Sequence, residues 1–126
     1  MSFRTFVAKF FSNHAETSDH HPDSTLQTRY YKTTKDRAFS VLESMFKAKK
    51  NVKINSVSVE HGEISIYMKQ GKKAFVIITV IMVRPYQTAI DFSVTTESIL
   101  PVDFGFSTRL IQKLYQEINK ELPLID

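Results

Sequence analysis

The stretch 74–83, AFVIITVIMV, decides the fold of this chain. It is apolar at both odd and even positions, so a strand formed here carries apolar side chains on both of its faces. Its length is about half of the roughly 20 residues that a membrane-spanning helix needs. We therefore predict a central β-strand that is covered on both faces.

Shorter strands are predicted before and after this stretch. Residues 63–69 and 89–95 alternate between apolar and polar positions, which is typical of strands with one solvated face. Residues 52–59 change the phase of their alternation at Asn55-Ser56, which predicts a β-bulge. Turn signals separate the four strands, at His61-Gly62, at Gln70-Gly71 and at Arg84-Pro85-Tyr86. The order predicts an antiparallel meander.

Two main helices and one further strand complete the predicted domain. Residues 26–32 are rich in β-formers. Thr33 with Asp36 fits a capping signal before the first main helix, and the second runs from about Phe106 to Leu122, before Pro123. Helical spacing gives each an apolar stripe, formed by Ala38, Val41, Leu42 and Met45 and by Leu110, Ile111, Leu114, Ile118 and Leu122. We predict an α+β fold, an antiparallel β-meander with both helices packed on one face.

The central strand then has a second apolar face to explain. If Val76, Ile78, Val80 and Met82 face the helices, the opposite face carries Phe75, Ile77, Ile81 and Val83. Neighbouring strands offer polar groups there, namely Ser65, Lys69, Asp91 and Ser93. An N-terminal helix, a second copy of the chain or a bound apolar ligand could cover this apolar strip.

The N-terminus predicts a short amphipathic helix over residues 1–12. Its stripe is formed by Phe3, Phe6, Val7, Phe10 and Phe11, with Arg4 and Lys9 on the other face. A helix of this length is marginal alone in water and needs a surface to lie on. That surface is the chain's own sheet, a protein partner or an anionic membrane. Residues 13–25 are predicted as a polar linker and 26–126 as a single domain.

Composition bounds the classes of function. The chain has 126 residues, no cysteine and a formal charge of +4. Disulfides, thiolate metal sites and a cysteine nucleophile are therefore excluded. The small positive charge favours anionic partners only weakly. No signal-peptide pattern is found, and we expect a cytoplasmic protein, with peripheral membrane contact as the alternative.

Two resemblances add expectations. The element order over residues 26–122 resembles a shortened helix-grip domain, a fold that holds lipids and other apolar ligands. The segment 13–23 (NHAETSDHHPD) followed by 28–32 (TRYYK) resembles a group of small bacterial cytosolic proteins. The first resemblance implies an apolar ligand between helices and sheet, and the second implies a bacterial cytosolic setting.

Three groups of residues are candidates for polar chemistry. Lys47, Lys49, Lys50 and Lys53, downstream of Tyr30 and Tyr31, form a basic patch. No nucleic-acid signature accompanies it, so a solvated helix end is the preferred interpretation and the sequence argues against a nucleic-acid partner. His14, His20 and His21 are weak metal candidates in a spacing that fits no ligand pattern. Asp91 is predicted to form a cross-strand ion pair with Arg29 or Lys69.

The sequence predicts a binding function without catalysis. None of the nucleophile, metalloprotease, phosphate-loop or dinucleotide motifs is present, so we expect no enzyme, no catalytic residue and no cofactor. We predict a cytosolic binding or adaptor module for a protein partner or for a second copy of the chain. The alternative is a carrier or sensor of a small apolar ligand held between helices and sheet.

Overall fold

The computed structural model describes residues 13–97 and 103–125, which form six strands, two α-helices and one 3-10 helix. In chain order the elements are β1 (His14–Glu16), the 3-10 helix (Ser24–Leu26), β2 (Arg29–Tyr31), α1 (Lys35–Lys47), β3 (Val52–Ser58), β4 (Glu63–Gln70), β5 (Lys72–Arg84), β6 (Gln87–Thr96) and α2 (Phe106–Glu121). The predicted helix over residues 1–12 lies outside the described residues.

The six strands form one antiparallel sheet in the order β1-β6-β5-β4-β3, with β2 also paired to β6. Short turns make β3 to β6 sequential neighbours, as the sequence predicts. Gly62 at the first turn has φ 69°, and a Cβ there would lie 2.5 Å from the carbonyl oxygen of Val80, so only glycine fits without a shift. The predicted bulge is confirmed by a register shift between Ile54 and Ser56.

Both α-helices pack on one face of the sheet, which we call the inner face. β5 contributes Val76, Ile78 and Val80 to this face, and all three are fully buried. Their neighbours on β4 and β6 share the face because direct cross-strand partners point the same way. The helices contribute their predicted stripes, of which Ala38 and Leu42 of α1 and Leu110, Ile111, Leu114 and Ile118 of α2 are buried, while Val41 and Met45 are partly buried. Phe39 and Phe46 of α1 are buried beside the stripe. The predicted α+β class is confirmed.

β5 extends beyond the part of the sheet that the helices cover. The sequence predicts Met82 on the buried inner face, but 46% of Met82 is exposed. That prediction is wrong because strand alternation fixes the direction of a side chain and not the extent of the helices above it. On the opposite face, which we call the outer face, Phe75 and Ile77 are half-buried and Ile81 is exposed. The sequence predicts that β5 is covered on both faces, but within residues 74–80 only the side chains of the inner face are fully covered.

The segment 13–25, predicted as a polar linker, contains β1 and the start of the 3-10 helix. β1 pairs with residues 93–95 of β6 and β2 pairs with 88–90, so the two short strands lie end to end along one edge of β6. The intervening loop, 17–28, is closed by a bridge between Ser18 and Gln27 and anchored by the buried Leu26. Leu26 ends the 3-10 helix, so the strand predicted over 26–32 is restricted to Arg29–Tyr31.

A polar side chain accepts backbone N–H groups at the start of each α-helix. Thr34 caps α1, and its Oγ1 accepts a hydrogen bond from the Arg37 N–H at 3.2 Å. The predicted cap, Thr33, lies one residue too early, and its carbonyl oxygen accepts from the Thr88 hydroxyl. At α2 the buried Asp103 carboxylate accepts hydrogen bonds from the N–H of Gly105, the N-cap residue, from the N–H of Ser107 in the first turn and from the Thr96 hydroxyl. These bonds attach the start of α2 to the end of β6.

We predict that Leu114→Ala lowers the free energy of unfolding by about 2–5 kcal/mol, because it opens a cavity beneath a fully enclosed side chain. Chemical denaturation of the full chain measures the loss. Lys113→Ala, at an exposed position on the same helix, is the control and should cost less than about 0.5 kcal/mol. A loss below about 1 kcal/mol for Leu114→Ala would contradict the packing of α2 on the sheet.

Candidate functional site

The outer face of the sheet holds Phe75, Ile77 and Ile81 of the predicted apolar strip, whereas Val83 lies in a register shift between Met82 and Arg84. Phe75 and Ile77 lie beside Thr95 and Ser93 of β6, and the Tyr67 ring of β4 stands 5.0 Å from the Phe75 ring. Ser65 and Ser93 flank Ile77 as its direct cross-strand partners. At Ile77 the neighbours on both strands are polar, as predicted, whereas the direct partner of Ile81 on β6 is Ala89.

The strip continues into the turn between β5 and β6. We call residues 81–87 the hairpin tip. Ile81, Met82 and Val83 expose 51%, 46% and 47% of their surfaces, and Tyr86 exposes 64%. Four large apolar side chains are therefore solvated within six consecutive residues. Such a concentration of exposed apolar surface marks an interaction site more often than isolated exposed residues do.

The hairpin tip also has an open backbone edge. β4 pairs with β5 as far as Thr79, and the Val80 N–H donates to the Gly62 carbonyl oxygen at 2.7 Å. Beyond Val80, no strand of the described residues pairs with this side of β5. Met82 has the same parity as Val80, so its N–H and carbonyl groups point to this open side.

The predicted lysine patch does not form a single site. Lys47 lies 3.5 Å from Glu43 on α1, and Lys49 bonds Glu117 on α2 at 2.7 Å. These two lysines pair with helix carboxylates, as expected for a helix end. Lys50 and Lys53 instead join lysines from two other strands.

Lys50 and Lys53 line a surface groove together with lysines of β4 and β5, and we call it the basic groove. Its volume is about 410 Å³, and its lining includes Lys50, Lys53, Lys69, Lys73 and Tyr67 together with Glu97. Lys53 is the direct partner of Tyr67, and Lys69 is the direct partner of Lys73. The linear sequence does not group these lysines, because Lys53, Lys69 and Lys73 lie on three separate strands and Lys50 lies on the connection before β3. The turn at Gln70-Gly71 was the available signal, since it fixes the register that pairs Lys69 with Lys73.

The histidines do not converge. His14 Nδ1 lies 2.7 Å from the Thr95 hydroxyl on the outer face, and the His21 Nδ1 accepts the Asp23 N–H within loop 17–28. Across residues 13–97 and 103–125, no group of three or more histidine or carboxylate side chains is arranged to hold a metal ion.

Asp91 organises loop 17–28 instead of forming the predicted ion pair. Its Oδ1 accepts hydrogen bonds from the hydroxyl groups of Thr17 and Thr28, each at 2.6 Å. Thr17 and Thr28 stand at the two ends of the loop, so one carboxylate oxygen holds both ends. Arg29 points to the inner side, where its guanidinium lies 5.4 Å from the centre of the Tyr115 ring. The ion-pair prediction is wrong because Arg29 and Asp91 occupy opposite faces of the sheet.

Two buried tyrosines stabilise the helix–sheet contact as neutral donors. The Tyr115 hydroxyl donates to the Ile90 carbonyl oxygen at 2.6 Å, and the Tyr31 hydroxyl donates to Asn119 Oδ1 at 2.6 Å. Burial raises the pKa of both phenols well above its usual range. Both side chains therefore remain protonated and keep their hydrogen bonds throughout the neutral pH range.

The predicted interface residues Phe3, Phe6, Val7, Phe10 and Phe11 lie outside the described residues. Neither α1 nor α2 combines the length and apolar character that a bilayer-crossing helix requires, and no other described segment is such a helix. A scan against protein-family models and a search of curated proteins both give no match.

We predict that Asp91→Ala destabilises the chain by about 1–3 kcal/mol, because the part-buried hydroxyl groups of Thr17 and Thr28 lose their acceptor. Urea unfolding measures the loss, and faster amide exchange within residues 17–28 should accompany it. Ser93→Ala, two residues along the same face of β6, is the matched control. An equal effect of the two substitutions would contradict the anchoring role of Asp91.

Proposed function

We propose that this protein is a non-catalytic binding module that uses the hairpin tip to bind a protein, and that its first partner is a second copy of the chain. The observation that carries the proposal is the exposure of Ile81, Met82, Val83 and Tyr86 in one short segment. Fully burying one such side chain contributes about 1.5–3 kcal/mol. A partner that covered the exposed half of all four would therefore gain several kcal/mol.

The open edge of β5 favours a second copy as the partner. An unpaired strand edge is a template for another strand. Two copies of the edge at Ile81–Arg84 can pair antiparallel about a two-fold axis, in which each copy presents the same surface to the other. This pairing would satisfy the backbone groups of Met82 and cover Ile81 and Val83 in both copies.

A surface site also agrees better with the core than an interior ligand does. The space between the helices and the inner face holds fully buried side chains from all three elements, including Leu42, Ile78 and Ile118. An apolar ligand would have to displace them. The N-terminal segment 1–12 is a second candidate cover for the outer face. Asn13, the residue before β1, bonds to Thr96 at the end of the sheet where Phe75 lies.

Self-association is tested by the double substitution Ile81→Lys with Val83→Lys. We expect the unmodified chain to form a dimer with rising concentration in sedimentation experiments, and the double variant to remain monomeric because two charges on the tip oppose burial. Val57→Lys, an exposed valine on the far edge strand β3, is the control and should leave the dimer intact.

Two results would count against this partner. An unmodified chain that stays monomeric at the highest soluble concentration would contradict a second copy. If Phe6→Ser with Phe10→Ser then caused association or apolar-dye binding, the chain's own N-terminal segment would be the cover in place of a second copy.

A further inference from the structure

We propose that the basic groove binds single-stranded nucleic acid, with lysines contacting the phosphates and Tyr67 stacking on a base. This site is independent of the hairpin tip and lies at the other end of β5. In the linear sequence, the lysines of 47–53 indicate a helix end. The groove takes only Lys50 and Lys53 from that stretch and adds Lys69 and Lys73.

The register of the sheet places the groove residues in two adjacent rows on the outer face. Lys53, Tyr67 and Phe75 are successive cross-strand partners on β3, β4 and β5 and form one row. Lys69 and Lys73 form the next row, about 7 Å along the strands. Lys50 lines the groove from the connection between α1 and β3. The groove therefore has a lysine beside Tyr67 on the next strand and two more in the adjacent row.

The charge in the groove is unbalanced. Within the described residues, none of Lys50, Lys53, Lys69 and Lys73 has a carboxylate within ion-pair distance, whereas Lys47 and Lys49 each have one. One acidic residue, Glu97, shares the lining with the four lysines. A local excess of positive charge in a concave surface attracts and concentrates anions.

The Lys69–Lys73 pair carries a cost that a bound anion would remove. Like charges at directly opposite positions of an antiparallel pair destabilise a sheet. The two lysines are opposite each other on neighbouring central strands. A phosphate between the two ammonium groups turns this repulsion into two attractive contacts.

Tyr67 distinguishes nucleic acid from other anionic ligands. It lines the groove among the lysines, 45% of it is exposed, and the tilted Phe75 ring supports it at 5.0 Å. An aromatic ring held among lysines in a groove is the combination by which proteins bind single strands, because every base has a face that stacks. A bilayer is a plane and meets protruding side chains, whereas these residues line a recess.

Binding is measured by the fluorescence anisotropy of a labelled oligothymidylate of about ten nucleotides, within the site sizes known for such grooves. We expect saturable binding by the full chain at low salt. Tyr67→Ala should weaken it about tenfold, and Tyr67→Phe should retain it, because phenylalanine still stacks. The same sequence as a duplex should bind more weakly, since its bases are not free to stack on Tyr67.

The role of the lysines is tested with the groove pair, Lys69→Gln with Lys73→Gln. The control is the helix pair, Lys47→Gln with Lys113→Gln, which removes the same charge from the helices. The groove pair should reduce the slope of log affinity against log salt by about 1.4, and the helix pair should leave it unchanged. The groove variant should melt no lower than the unmodified chain, because it removes a like-charge pair. A loss of binding therefore cannot be assigned to unfolding.

Several results would overturn the proposal. Absence of oligothymidylate binding at low salt would do so, as would equal weakening by the groove and helix pairs or no effect of Tyr67→Ala. Vesicles containing phosphatidylserine provide the other arm of the test. If they bind through the groove lysines more tightly than oligothymidylate does, and Tyr67→Ala leaves that binding unchanged, the groove is a lipid-surface site.

Discussion

The burial of one face of β5 is the constraint on which the rest of the structure depends. Val76, Ile78 and Val80 are buried together, because the two α-helices pack over them on the inner face. Within residues 13–97 and 103–125, both α-helices lie on the inner face, so no described helix covers the apolar residues of the outer face. The outer strip and the hairpin tip follow from that asymmetry, and so does our proposal of a partner surface.

The sequence predicts those parts of the fold that depend on local periodicity. The two helices, the four-strand meander, the bulge at Ile54–Ser56 and the buried stripe of α2 all follow from spacing and turn residues. The short strands β1 and β2 do not follow from it. These two strands form through hydrogen bonds to β6, which is distant in the sequence. Each has three residues, which are too few to show a periodic pattern.

The candidate sites divide in the same way. The positions of Phe75, Ile77 and Ile81 on one face are predictable because they alternate along one strand, whereas the register shift at Val83 is not predicted from the sequence. The basic groove depends on the register between β3, β4 and β5, which brings together Lys53, Lys69 and Lys73, up to 20 positions apart in the chain. Asp91 is a third case, since its partners Thr17 and Thr28 lie more than 60 positions away.

Amide hydrogen exchange at two positions of β5 tests most directly whether the strand passes from a covered core into an open edge. The N–H of Val80 donates to Gly62, whereas that of Met82 has the same parity and points to the open side. In dilute solution we predict that Val80 exchanges slowly, with the core, and that Met82 exchanges orders of magnitude faster. Equal, slow exchange of both amides in dilute solution would contradict an open edge and the binding surface proposed there.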